Sequence, residues 1–208
     1  MADVLNPAPD PPAAIRAFLS IALPAEVARA IDRVKRRLEE DGPGESVRWT
    51  PTEQIHLTLK FLGDVQVSAL AEFEAALRTA TAGCGPLNLQ AEGLGCFPNP
   101  RQPRVLWVGL RGDLEALQEL QARLDDATAP WTEKPENRPF HPHLTLGRVR
   151  EGAFRQARRI GEVLAATAVP ALGRWRAEQF HLMHSQLSPQ GARHKVLASF
   201  PLAGVPET

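Results

Sequence analysis

The chain has 208 residues, room for one substantial domain or two small fused lobes and too little for two large domains. Hydrophobic residues make up 43% and charged residues 23%, ordinary proportions for a globular protein with a real core. Lysine plus arginine equals aspartate plus glutamate, 24 against 24, which argues against coating a long nucleic acid and favours reading one short end or a small nucleotide.

Residues 1 to about 13 are rich in proline and alanine, lack a basic leader region, and are expected to form a disordered tail rather than a signal peptide. Ile15 to Leu23 is a compact apolar run ended by Pro24 and reads as a buried strand. Pro24 suits the first turn of a helix whose apolar stripe is Val27, Ile31, Val34 and Leu38, stopped by Asp41-Gly42-Pro43-Gly44. Val47 to Trp49 is a short strand. Ile55 to Leu62 is a longer one in which Ile55, Leu57, Leu59 and Phe61 face one way and His56, Thr58 and Lys60 the other. That alternation puts Phe61 in the core. A helix between Asp64 and Thr81 turns Leu70, Phe73 and Leu77 inward.

Leu87 to Phe97 and Val105 to Leu110 read as strands joined by the loop Pro98 to Arg104, and Asp113 is placed to cap a helix with the stripe Leu114, Leu117, Leu120 and Leu124. After a stretch rich in Pro, Asn and Glu, from Pro130 to Pro139, come a strand from His143 to Val149 and a helix from about Phe154 to Ala166. Strands near Glu178 to Met183 and near Lys195 to Phe200 close the chain. No glycine-rich phosphate loop is present, which favours an α+β fold with antiparallel sheets over a doubly wound nucleotide fold. No apolar run approaches the roughly 20 residues that cross a bilayer. Cys84 and Cys96 have neither disulfide-framework nor CxxC spacing and are expected to be reduced thiols, fitting a cytoplasmic location.

The tetrapeptide His-Leu-Thr-Leu occurs twice, at His56 and at His143, and such a repeat is what a duplicated lobe with an internal pseudo-twofold leaves behind. Within each copy the histidine and threonine leave the same face of their strand while the leucines face the core. Brought together, two imidazoles around one phosphorus suit in-line phosphodiester hydrolysis, one taking a proton from water and the other giving one to the leaving oxygen. The hydroxyls of Thr58 and Thr145 are suited to holding the non-bridging oxygens.

Arg48 to Asp64 (RWTPTEQIHLTLKFLGD) resembles the first motif of the RNA 2′,3′-cyclic phosphodiesterases, the 2′-5′ RNA ligase-like family of the two-histidine phosphoesterase superfamily. Phe140 to Arg148 (FHPHLTLGR) resembles the second motif, and Arg16 to Pro24, Arg104 to Gly109 and Leu187 to Arg193 resemble family segments in the right order. The resemblance spans nearly the whole chain after the tail. It implies a single domain over residues 14–208: a bilobal α+β pseudo-twofold duplication with two antiparallel sheets, flanking helices and a central cleft. It also implies metal-free opening of an RNA or nucleoside 2′,3′-cyclic phosphate to a 2′-phosphate, without cofactor, with the reverse reaction joining ends through a 2′-5′ linkage. On motif position His56 is the implied proton donor to the leaving 3′-oxygen and His143 the implied base for water, with Thr58, Thr145 and Arg148 on the phosphate. The partner is an RNA 3′ end or a nucleotide, not a membrane, and the protein is expected to act as a monomer.

Arg148 lies five residues after His143, and in a regular strand that odd spacing faces it away from the histidine, so only a bulge or strand end brings it to a phosphate. Arg101 and Arg104 are placed to meet RNA flanking the reacting end. His141, His181, His184 and His194 raise the question of zinc. With no HExxH, no acidic cluster and no nearby cysteine, the later three are expected to be strand-surface side chains. Two rival readings remain open on sequence: a small cyclic phosphate as the substrate, such as a cyclic nucleotide or cyclic phosphorylated ADP-ribose, and a catalytically silent RNA-end binding module.

Overall fold

A computed structural model describes residues 13–42, 44–132, 138–188 and 191–204; the expected N-terminal tail lies almost wholly outside these. Nine strands and four helices follow one another among the described residues: β1 (Ala14–Ile21), α1 (Ala25–Asp41), β2 (Val47–Trp49), β3 (Leu57–Gln66), α2 (Leu70–Ala80), β4 (Leu87–Phe97), β5 (Val105–Gly112), α3 (Leu114–Thr128), β6 (His143–Val149), α4 (Ala157–Ala166), β7 (Gly173–Ala177), β8 (Gln179–Ser188) and β9 (Gly191–Pro201). The α+β class with antiparallel pairing is as expected. β7 was not anticipated, and β8 and β9 run longer than their apolar cores suggested.

Strand order is β7-β4-β5-β6-β3-β1-β8-β9, with β2 on the edge of β6. The two expected sheets are the two four-stranded halves of this order. They meet at β6 and β3, where the pairing is a single one, Leu57 opposite Leu144. Both leucines are fully buried. The helices are exchanged between halves: α1 packs on α4 and β7, and α4 on β4, whereas α2 packs on α3 and β9, and α3 also reaches β3. One continuous core holds the arrangement, with Leu19, Ile31, Phe73, Leu117, Leu144 and Phe180 among its members.

β3 and β6 each carry a bulge one residue after the threonine of the repeat. Ser20 pairs with Thr58 but Leu19 pairs with Lys60, so Leu59 is an extra residue in β3. Trp107 pairs with Thr145 but Leu106 pairs with Gly147, so Leu146 is extra in β6. An unpaired extra residue reverses the alternation beyond it. Strict alternation therefore misplaced two side chains. Phe61 is 64% exposed and paired with Phe18 on the histidine side, not in the core. Lys60 turns inward instead, where its Nζ meets Asp125 Oδ1 of α3 at 2.5 Å and donates to the Asp125 carbonyl at 3.1 Å.

Asp113 does precede α3, but its side chain makes no cap. Its Oδ2 accepts from the Asn88 backbone at 2.7 Å and from Asn88 Nδ2 at 3.1 Å, which ties the helix start to β4. The cysteines are free, Cys96 buried and Cys84 half-buried. No helix among the described residues is long and apolar enough to cross a membrane.

Candidate active site

The Leu57–Leu144 pair is the hinge of the site. Because the two leucines point to the core, their neighbours in sequence, His56 immediately before β3 and Thr58 within it, and His143 and Thr145 on β6, leave the opposite face around one point. All four are half-buried. The hydroxyls of Thr58 and Thr145 make no hydrogen bond with the described residues. Both are thus open to a ligand.

The two imidazoles are held in the same way. His56 Nδ1–H donates to the Gln54 carbonyl at 2.7 Å, and His143 Nδ1–H donates to the His141 carbonyl at 2.7 Å. A carbonyl can only accept, so the neutral ring keeps its lone pair on Nε2 in both cases. Burial holds His56 well below the ordinary histidine range, at about 4; the charges of His194 and His143 push the same way, and the Gln54 carbonyl opposes. His143 is also lowered, first by burial and then by the charges of His141 and Arg148, against its own carbonyl bond. With the cleft empty, both rings are neutral at pH 7. An anion between them favours their charged forms.

The bulge in β6 brings Arg148 to this face. Its pairing with Val105, two residues from the Trp107–Thr145 pair, sets it beside Thr145 and exposes its guanidinium. Phe61 holds the matching place five residues after His56, so the duplicated bulge delivers an aromatic ring at one end of the histidine pair and a cation at the other.

The walls around the histidines differ. His56 stacks on Phe18, ring centroids 4.9 Å apart and 24° between planes, and His194 meets both edge-on, at 5.6 Å from His56 and 4.9 Å from Phe18. His194 is therefore part of the pocket, not a plain strand-surface residue, and its Nδ1 is buried without a partner among the described residues. Only the pairing of β8 with β9, which sets Ser185 opposite His194, brings it there. On the other side Phe97 lies edge-on to His143 at 5.1 Å, and His141 packs against Phe97 and Trp107. Sequence reasoning missed Phe18, Phe97 and Trp107, which carry no repeated signature. His181 bonds Ser199 Oγ at 2.9 Å on the strand surface, and among the described residues no group of three or more His, Cys, Asp or Glu could hold a metal.

A family profile described as "LigT like Phosphoesterase" matches residues 21–107 and again 108–194, one copy around each histidine repeat. The chain is 31% identical over 188 residues to the RNA 2′,3′-cyclic phosphodiesterase of Methanothermobacter thermautotrophicus, covering 90% of this chain and 99% of that protein. It is 31% identical over 179 residues to that of Archaeoglobus fulgidus, covering 81% and 92%. Among solved structures, E. coli LigT complexed with 3′-AMP superposes with a TM-score of 0.72 at 26% identity, over 91% of this chain and 98% of that one. TT0787 of Thermus thermophilus superposes with a TM-score of 0.70 at 28% identity, over 91% and 99%.

Proposed function

The chain belongs to the LigT-like phosphoesterases, and from that premise we propose that it hydrolyses RNA-terminal or nucleoside 2′,3′-cyclic phosphates to 2′-phosphomonoesters. The observation that carries this reading is the Leu57–Leu144 pairing, with two carbonyl-anchored imidazoles and two unengaged hydroxyls on its open face.

Water, deprotonated by His143 Nε2, attacks phosphorus in line with the P–O3′ bond. That bond breaks, and the 3′-oxygen takes its proton from His56 Nε2, so one proton enters the protein and one leaves it. Thr58, Thr145 and Arg148 bind the non-bridging oxygens, where negative charge gathers in the transition state. The Arg148 cation acts on His143 and favours its neutral form, as a base requires. Motif position makes His56 the ring that carries the proton, and the phosphate anion in the cleft favours that charged form against the burial that lowers it. Phe61, with Phe18 beside it, offers an exposed aromatic face to the terminal base. The chemistry needs nothing beyond imidazoles, hydroxyls and a guanidinium.

Purified protein given nucleoside 2′,3′-cyclic phosphates in excess EDTA is expected to turn them over, with the 2′-phosphomonoester seen by ³¹P NMR. A 3′-phosphate product, or turnover that vanishes in EDTA and returns with a defined divalent ion, would overturn the mechanism.

A further inference from the structure

The chain is neutral overall, but its charge is not spread evenly around the cleft. At the end of the site marked by Arg148, arginines from three segments converge. β6 lies between β2 and β5 here, and Arg48 and Val105 are the two cross-strand partners of Arg148, so Arg48 and Arg148 share a face. Arg104 immediately precedes Val105, and its carbonyl accepts from the Val149 amide at 2.9 Å, which fixes it against the end of β6. Arg101 sits in the turn just before, where Asn99 Oδ1 accepts from its backbone amide at 3.0 Å. Arg150 follows immediately after β6, its Nε donating to a backbone carbonyl, that of Glu45, at 2.9 Å.

All five arginines are exposed, and none takes part in any ion pair among the described residues. Several other cations on strands and helices do have an acid: Arg36 with Asp32, Arg111 with Glu92, Arg158 with Glu162. The Phe61 end of the cleft differs too, because there Arg16 is the cross-strand partner of an acid, Asp64. Arg48 and Arg148, paired on one face without an ion-pair partner among the described residues, repel one another, and a polyanion relieves that repulsion.

We propose that Arg48, Arg101, Arg104 and Arg150 form a track for the sugar–phosphate backbone of the RNA strand upstream of the cyclic phosphate. It is continuous with the catalytic centre through Arg148. This rests on the cyclic phosphodiesterase reading above and goes further by placing the strand upstream of the reacting end along one named edge of the cleft. Guanidinium groups match phosphate oxygens in fork geometry, and they give no base specificity, so the track takes any sequence.

The test compares a nucleoside 2′,3′-cyclic phosphate with an RNA hexamer ending in the same nucleotide and the same cyclic phosphate, from about 50 to 200 mM salt. The wild type is expected to favour the hexamer by about tenfold or more in kcat/KM at low salt, and to lose that preference as salt rises, with a log–log slope near −0.7 per phosphate held. Arg101→Glu combined with Arg104→Glu, both at exposed positions, should erase the hexamer preference through KM and leave the mononucleoside rate within about twofold. The milder Arg101→Ala, Arg104→Ala pair should fall between. Equal kcat/KM and equal salt dependence for the two substrates in the wild type overturns the track but leaves the phosphodiesterase reading intact. So does a charge-reversed variant that keeps the hexamer preference. Fluorescence anisotropy with a hexamer ending in a 2′-phosphate separates the two ideas. Binding weakened about tenfold by the Glu pair supports the track even if neither cyclic substrate turns over, and unchanged binding refutes it.

Discussion

His56 and His143 are anchored alike, and the proposed mechanism gives them different work. Removing either imidazole should lower turnover by about 10²–10⁴, the usual range for general acid–base catalysis. The double variant should cost far less than the product of the single losses, since the proposed mechanism uses the two in one step. Replacing the 3′-oxygen by sulfur supplies a leaving group that departs as a stable thiolate without an acid. That substrate should rescue His56→Ala much more than His143→Ala; the opposite pattern would exchange the two roles. Burial of His56 has a second consequence, for stability. Its pKa is about 4 in the fold against 6.5 in a free chain. Well above pH 6.5 both states are neutral and nothing is gained or lost. Between 6.5 and 4 the unfolded chain takes up a proton that the folded chain refuses, so stability falls as pH falls, by up to about 3 kcal/mol. His143, His181 and His194 are lowered as well and act in the same direction. Urea unfolding at about pH 7 and about pH 4.5 isolates the share of His56: His56→Gln should lose measurably less stability across that interval than the wild type. An identical loss would mean that the ring is not buried in solution.

Among the elements, the bulges at Leu59 and Leu146 matter most, because each converts an odd sequence spacing into a shared face. They explain why a lysine inside an otherwise polar-facing row is buried against α3 and why Arg148 reaches the histidine side at all. β5 depends on a different device. Trp107 lies flat across Gly95 of β4, where an added Cβ would overlap the Cη2 and Cζ2 atoms of the indole. The indole also packs on His141, centroids 5.1 Å apart, and the His141 carbonyl anchors His143. Gly95→Ala must therefore displace the indole. We expect a destabilisation of about 1–3 kcal/mol in urea, typical of overpacking, together with a lower turnover on the cyclic phosphate. A variant with full stability and full turnover would show that the indole moves freely and does not support His143.

At the scale of the molecule, the exchange of strands and helices leads us to expect that neither half is a separable domain. β1 lies between β3 and β8, so the first half of the sheet takes its outer strands from the C-terminal end of the chain. α1, from the N-terminal end, covers β7 and α4 of the other half. Such exchange leaves no cut that spares the core, and unfolding should be a single transition. Tryptophan fluorescence and far-UV circular dichroism are expected to give coincident urea curves. Residues 1–85 and 86–208 expressed apart should each fail to fold, because each would expose the faces that the other covers. Two separated transitions, or a folded fragment, would contradict this.

The repeated His-Leu-Thr-Leu, the helical stripes and the alternation of β3 and β6 up to their threonines were all legible in the chain, because period 2 and period 3.6 follow from local covalent geometry. That is why His56, Thr58, His143 and Thr145 could be named together before any pairing was known, and why the buried faces of α1, α2 and α3 match their leucine and valine spacing. Beyond the threonines local geometry no longer decides. Whether a strand accepts an extra residue depends on the strand beside it, so the placing of Phe61, Lys60 and Arg148 belongs to the tertiary structure. The same holds for His194 beside His56 and for the aromatic walls of Phe18, Phe97 and Trp107. These contacts join residues far apart in sequence, and only the pairing of β1 with β3 and β8, of β8 with β9, and of β5 with β4 and β6 brings them within reach.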